Sequence, residues 1–316
     1  MKNLNGPVFS IVTPFKNDLS IDYQQLFEYL DYAYSCGARQ FYSMAYNTRY
    51  AQLTHNEILI LNSSIIRHLK KTDQNITVIV GDPIACSTKE SHSAAKTYCD
   101  LGADLVSILF SERYYSDSQV LEHYSEIAEG LGCGILVHEM PLQCGLGGPE
   151  KMWPLSLMKE IVNISEIQAI KEDAKNDEYT QSLAKIVRGK ASLILSGGGK
   201  RRWLDFGSEV CPAWLNGLGV AYPSYPIKFW ELYREGHLDA AKQLISNVEE
   251  IFFDKCVSKY GWHLCIRVAL HLQGFCNLIE RKPLNCLQNK ELEEVSLNLS
   301  EINNSFEKNN IKTIKR

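Results

Sequence analysis

A lysine closes a short apolar run, Ile167-Gln168-Ala169-Ile170-Lys171-Glu172, just before the polar stretch Asp173, Ala174, Lys175, Asn176, Asp177. An amine on the last step of a buried strand is poorly hydrated. Desolvation disfavours the ammonium, and the neutral amine is the form that attacks a carbonyl carbon to make a Schiff base. A lysine at a strand exit also has a plainer use: its methylenes cover apolar surface while its charge snorkels to water. Two further groups carry chemistry by type. His138 ends the run Gly134–His138, and an imidazole moves protons near neutrality. Gly197-Gly198-Gly199-Lys200-Arg201-Arg202 sets a glycine-rich turn before three cations, and N–H groups at a helix start attract anions. Gly198, Lys200 and Arg201 are therefore candidates for a phosphate or carboxylate site, with a solvated basic first turn as the alternative. Cations at a helix N-terminus oppose its dipole, which argues for a purpose.

These groups need a scaffold, and the chain alternates between two periodicities. Apolar runs at Val8–Val12, Gln40–Met44, Thr77–Val80, Leu105–Phe110, Gly134–His138, Ile167–Lys171, Ser192–Leu195 and Ala213–Gly217 predict strands. Amphipathic stretches predict helices at Asp22–Ser35, His55–Lys71, Lys89–Leu101, Ser118–Leu131, Pro154–Val162, Tyr179–Val187, Arg201–Phe206 and Ser224–Tyr233. Thr54 with Glu57 reads as a capping box, and Gly37 as a helix stop. Eight such units in about 230 residues fit a (β/α)8 barrel, usually about 250 residues long. A doubly wound sheet is the alternative, but no GxGxxG follows the first strand. Residues 1–235 are expected to form the barrel, and 236–316 a helical region packed against it, because no Gly/Ser/Pro-rich linker intervenes.

Catalytic residues of such barrels sit at the C-terminal ends of the strands, where Lys171 falls on the sixth. The same rim gathers Thr13, Tyr46, Asn47, Arg49, Tyr114, Tyr115, His138, Glu139 and Gly197–Gly199. Trp214, on the eighth run, is a further candidate for the substrate-binding wall.

Composition narrows the class. A net charge of −4 is too balanced for a nucleic-acid binder, and no apolar run approaches the ~18 residues of a membrane span. Met1–Gly6 lacks the apolar core of a signal peptide, so a cytoplasmic location is expected. Ten cysteines without a CxxC pair read as reduced, mostly buried thiols, with neither a disulfide framework nor a metal site.

Gly6-Pro7, Val12-Thr13-Pro14-Phe15, Ile21-Asp22, Leu53-Thr54-His55-Asn56-Glu57, Gly102-Ala103-Asp104, Ile135-Leu136 with Pro141, Ile170-Lys171-Glu172, Ser196-Gly197, and Gly274 with Arg281-Lys282-Pro283-Leu284 occur in this order. Together they resemble the dihydrodipicolinate synthase / N-acetylneuraminate lyase family of pyruvate-dependent class I aldolases, over nearly the whole chain. The resemblance implies a barrel, Lys171 as the imine-forming residue, no cofactor, and assembly as a homodimer or homotetramer. It places fourth-strand-loop tyrosines, here Tyr114 or Tyr115, in a proton relay or at the subunit boundary.

The departures are informative. Where the family carries glycine, two threonines, glycine and glutamate, this chain has Ala45-Tyr46-Asn47-Thr48-Arg49. Tyr46 and Asn47 can donate hydrogen bonds to a carboxylate, and Arg49 can bind one through two donors, in a more crowded pocket. Where the family has its acid/base tyrosine, three residues before Pro141, stands His138. Where the synthase branch has a carboxylate-binding arginine stands Gln143, so the lysine-pathway activity is not expected. The expected function is a Schiff-base aldolase or lyase joining a 2-oxo acid to an aldehyde or sugar-derived partner. The alternatives are a 2-oxo sugar acid dehydratase of the same family, or a barrel without catalysis that serves binding or assembly.

Overall fold

The computed structural model describes residues 3–85, 87–110, 116–139, 152–196, 199–309, 311 and 313. Eight parallel strands close on themselves: β1 (Gly6–Ser10), β2 (Gln40–Tyr42), β3 (Thr77–Gly81), β4 (Leu105–Ile108), β5 (Gly134–Glu139), β6 (Ile167–Glu172), β7 (Ser192–Leu195) and β8 (Ala213–Leu215). The helices between them are α1 (Tyr23–Ser35), α2 (His55–Thr72), α3 (Thr88–Asp100), α4 (Asp117–Ala128), α5 (Leu155–Ile161), α6 (Asp177–Val187) and α7 (Gly199–Phe206), with α8 (Ser224–Arg234) after β8. The helix starts follow from short polar side chains. Asp22, Thr54, Ser87, Ser116 and Asn176 each accept a first-turn backbone N–H, and Thr54 with Glu57 completes the capping box.

Strand alternation divides the buried residues into two sets. Inside the barrel lie Val8, Tyr42, Ile79, Leu105, Leu136, Ala169, Ile194 and Ala213. The intervening residues, among them Phe9, Phe41, Val106, Val137, Ile170 and Leu193, face the helices. Two residues further along five of the strands, at or just past their ends, the inward face turns polar: Ser10, Ser107, His138, Lys171 and Ser196, every one less than a tenth exposed. The barrel thus carries an apolar plug with a polar layer on top, at the end where the strands finish.

Several strands stop earlier than expected. β2 ends at Tyr42, β4 at Ile108 and β8 at Leu215, because the chain turns out of the ladder at the barrel mouth, where Met44 takes a positive φ of 65°. The helical region expected after residue 235 opens with α9 (Leu238–Leu244), two π-helical stretches (Ile245–Glu250 and Phe253–Val257) and the short α10 (Ser258–Tyr260). Then come α11 (Trp262–Leu272) and α12 (Asn289–Lys308).

Two arginines tie this last part to the loop after the first strand and to the start of α2. Arg267 donates to Glu280 (2.8 Å) and to the Thr13 carbonyl (3.1 Å). Arg281 grips Glu57 at 2.7 and 2.9 Å and the Leu19 carbonyl at 2.7 and 2.9 Å. Hydrogen bonds from Arg281 lead the effects that pull the Glu57 carboxyl down to about 2.

The cysteines require a correction. Cys99, at the end of α3, and Cys133, just before β5, form a disulfide with Cα atoms 5.4 Å apart. They are 34 residues apart in sequence, so no local spacing signals the pair; the fold sets two neighbouring turns side by side. Cys36, Cys211, Cys256, Cys265, Cys276 and Cys286 are free, and Cys86 and Cys144 lie outside the described residues. Among the described residues no helix is long and apolar enough to cross a membrane.

Candidate active site

Lys171 and His138 stand side by side on β6 and β5, paired in register and both on the inward face. Each is 1% exposed. Lys171 Nζ lies 2.8 Å from His138 Nε2 and 2.5 Å from Asp173 Oδ2. Asp173, two residues past Lys171, is on the same face and also reaches His138 Nε2 at 3.5 Å. Its other oxygen accepts a hydrogen bond from Ser196 Oγ at 2.7 Å. Beneath the imidazole, Nδ1 lies 3.3 Å from the Tyr42 hydroxyl, which is 2.6 Å from Ser107 Oγ. A connected polar chain therefore crosses the barrel mouth from β4 to the exit of β7.

Charge in this chain is unevenly held. Burial, and next the Lys171 cation, push the His138 imidazole down to about 4, so it is neutral at pH 7. Burial works to raise the Asp173 carboxyl, but the Lys171 ammonium beside it outweighs that and holds the group well below the usual carboxylate range. Burial also keeps the Tyr42 phenol protonated. The resting arrangement is a lysine between an anion and a neutral base. A carbonyl carbon brought to Nζ would meet a nucleophile, a proton acceptor and a counter-ion within one cluster.

The loop after β2 is built differently from the expected carboxylate cradle. Asn47 is buried and donates to Ser10 Oγ (2.9 Å), which ties it to the polar layer. Tyr46 is 45% exposed and packs edge-on against His263, with centroids 4.6 Å apart, so it does not face the lysine cluster. Arg49 adopts a left-handed conformation (φ 60°) and lines a narrow cleft with Asn47, Val12, His263, Arg267 and Glu280. Burial, with help from the Arg49 charge, pushes His263 down to about 4. Thr13 and Thr48 spend their hydroxyls on the carbonyls of Thr48 and Ile11, bracing the exits of β1 and β2.

Two expectations are corrected. Trp214 faces outward, not into the mouth: its ring packs among Trp203, Phe229 and Trp230, and its Nε1 donates to Asn216. β8 alternates Ala213 in and Trp214 out, which puts the indole on the helix side of the sheet. The helix start at Gly199, Lys200 and Arg201 holds an anion, but an internal one. Glu249, from the first π-helical stretch, accepts from the backbone N–H groups of Lys200 (2.5 Å) and Arg201 (3.2 Å) and from Lys200 Nζ (3.0 Å). A Cβ on Gly199 would strike that carboxylate. Arg201 lies over the Phe253 ring, and Arg202 binds Asp177, Glu172, Thr180 and the Ser196 carbonyl. Gly197, Gly198, Tyr114, Tyr115, Pro141 and Gln143 lie outside the described residues.

Tyr42, Ser107, Asp173, Ser10 and Ser196 are the members that motif reading passes over. Asp173 has a local signal, since a residue two beyond an inward lysine shares its face. The others become visible only once strands are laid side by side.

Comparison with known proteins fits this geometry. The sequence model of the dihydrodipicolinate synthetase family matches residues 3–302. The chain belongs to that family. Among this family's curated members, a 4-hydroxy-tetrahydrodipicolinate synthase of Lachnoclostridium phytofermentans is 25% identical over 288 residues, covering 87% of this chain and 90% of the relative. An uncharacterized DapA-like lyase of Halobacterium salinarum is 22% identical over 307 residues, covering 95% and 94%. Among solved structures, the 4-hydroxy-tetrahydrodipicolinate synthase of Methylacidiphilum fumariolicum SolV superposes with a TM-score of 0.84 at 22% identity, covering 97% and 98%. A likeness at that identity concerns the fold. The coarse activity of a dihydrodipicolinate synthetase family member is that of a lyase or aldolase.

Proposed function

We propose that this chain is a class I aldolase or lyase in which Lys171 forms a Schiff base with pyruvate or another 2-oxo acid, distinct from the lysine-pathway synthase. The observation that carries this reading is the contact of Lys171 Nζ with His138 Nε2 at 2.8 Å and Asp173 Oδ2 at 2.5 Å, in a buried layer at the strand ends. Lys171 first gives a proton to His138. The part of the imidazole's depressed basicity that comes from the lysine charge vanishes as that charge leaves. Nζ then attacks the keto carbon. The C=O electron pair becomes an alkoxide, which takes the proton back from His138 to give a carbinolamine. Loss of water leaves the iminium, and Asp173 stands beside the new positive charge. The iminium then accepts electrons from the C3–H bond, or from the bond cleaved in the reverse direction, and His138 is the base in reach.

Gln143 stands where the resemblance expects the arginine for aspartate semialdehyde, so that substrate should not turn over. Incubation with a panel of 2-oxo acids and borohydride, read by intact mass, tests the reading. It expects one reduced adduct in the native chain and none in Lys171→Ala. An unmodified native chain across the whole panel would remove the aldolase reading and favour a barrel used for binding.

A further inference from the structure

Tyr42 puts an oxygen where the barrel needs none. Its neighbours inside the strands include Val8, Ile79, Leu105, Leu136 and Ala169, all hydrocarbon. Phenylalanine would fill the same volume, and a buried hydroxyl is costly unless bonded. This one is bonded on two sides, to Ser107 Oγ at 2.6 Å and to His138 Nδ1 at 3.3 Å. Three strands, β2, β4 and β5, converge on that hydroxyl.

The donors and acceptors along the chain fix its direction. The Lys171 ammonium has only protons to offer, so at 2.8 Å it needs a lone pair on His138 Nε2. A neutral imidazole with a lone pair at Nε2 carries its proton at Nδ1. That proton needs an acceptor, and the Tyr42 oxygen supplies it once Tyr42 has given its own proton to Ser107. The Asp173 carboxylate, 3.5 Å from Nε2, is too far to compete with the ammonium at 2.8 Å, so both ends of the chain select the same tautomer. The titratable groups facing this imidazole among the described residues are Lys171 and Asp173 from β6 and its exit, and Tyr42 from β2.

We propose that Tyr42, backed by Ser107, is a positioning residue that holds His138 as the Nδ1–H tautomer, so that Nε2 can take the proton Lys171 must shed before it attacks a carbonyl. The catalytic consequence rests on Lys171 being the imine-forming residue; the tautomer does not. In the transfer one N–H bond breaks at Nζ and one forms at Nε2. The imidazolium then donates its Nδ1–H to Tyr42 as before, and no further reactant is needed.

The test is 15N NMR of the full chain with labelled histidine, the His138 signals being assigned by their loss in His138→Gln. At pH 7 the native protein should show an imine-type Nε2 and a protonated Nδ1. In Tyr42→Phe the Nδ1 proton loses its acceptor, and the two shifts should move toward each other as tautomers mix. The rate of borohydride-trapped imine formation with pyruvate should drop at least about tenfold, with its rise along the pH axis moved upward, while the final extent of trapping is unchanged. Ser107→Ala keeps the ring in place and should reproduce both effects in weaker form, which covers a Tyr42→Phe chain that fails to fold. An Nε2–H tautomer in the native protein overturns the proposal, as do histidine shifts unmoved in both variants. If the shifts move as expected but the native chain traps no 2-oxo acid, the positioning role stands and the aldolase reading is the part that fails.

Discussion

Two lysines in this barrel are equally buried and equally paired, yet they are built for different ends. Lys171 and Lys200 are each 1% exposed, and each ammonium has one carboxylate partner. Around Lys200 the pairing is closed. Glu249 also accepts two backbone N–H groups at the start of α7, and the Tyr225 ring covers the amine at 4.2 Å. Burial pulls that ammonium's pKa down and Glu249 pushes back, but no neutral base among its described contacts is placed to take the proton. Around Lys171 the pairing is open-ended, because a neutral imidazole stands 2.8 Å away with a chain of hydroxyls behind it. Burial and an ion pair alone therefore do not set Lys171 apart from Lys200. What separates the two is a proton acceptor, and a place on the inward face at the end of a strand instead of the layer between sheet and helices.

Each lysine can be replaced in turn. The largest effect should come from Lys171→Ala, which should abolish imine trapping and lower turnover by more than about a thousandfold, with a folded chain by circular dichroism. Lys200→Met should do the reverse: trapping persists, but a charge left buried on Glu249 should cost ~3–5 kcal/mol in urea unfolding. The double variant Lys200→Met/Glu249→Gln should recover part of that loss. Unchanged stability in Lys200→Met would undo the structural role given to the pair.

Asp173→Asn sharpens the other half. Without the counter-ion beside the iminium, kcat/KM should fall about a hundredfold, and the loss should lie in kcat more than in KM. A pure KM effect would mean that Asp173 holds substrate and not charge.

A smaller effect concerns acid. Burial pushes His138, His123 and His263 each down to about 4 from an ordinary 6.5. Between those values the unfolded chain binds protons that the native chain does not, so stability is level above pH 6.5 and falls from there toward pH 4. Asp173 does not oppose this, since its depressed pKa supports the fold at every pH above its ordinary 3.8. The melting temperature should drop across that window. His138→Gln should flatten the slope by up to about 3 kcal/mol at pH 4. A melting temperature constant from pH 7 to pH 4 would contradict the neutral, buried state of these imidazoles.

Much of this molecule could be read from its sequence, and the remainder has a common physical cause. Strand runs and helix caps are local, so β1 through β8 and the Thr54–Glu57 box show directly in spacing. Lys171 and His138 are legible for the same reason: each ends an apolar run, and the register then pairs them. Tyr42 is not legible, because Phe41-Tyr42-Ser43-Met44 gives no clean alternation and its partners sit 65 and 96 residues away. The basic turn at Lys200 misleads because the anion it holds comes from Glu249, 49 residues on, in a helix whose π-helical turn is invisible in composition. Trp214 misleads because one residue of register decides which face of β8 it occupies. Partners met across a closed barrel are set by geometry, and no spacing rule reaches them.

The most direct test of the central claim sets the two lysines against each other in one sample. The native chain is reduced with borohydride in the presence of pyruvate or the best 2-oxo acid of the panel, digested, and each lysine peptide is read by mass. The account predicts an adduct on the peptide carrying Lys171 and an unmodified Lys200. An adduct on Lys200, or one that survives Lys171→Ala, would contradict it.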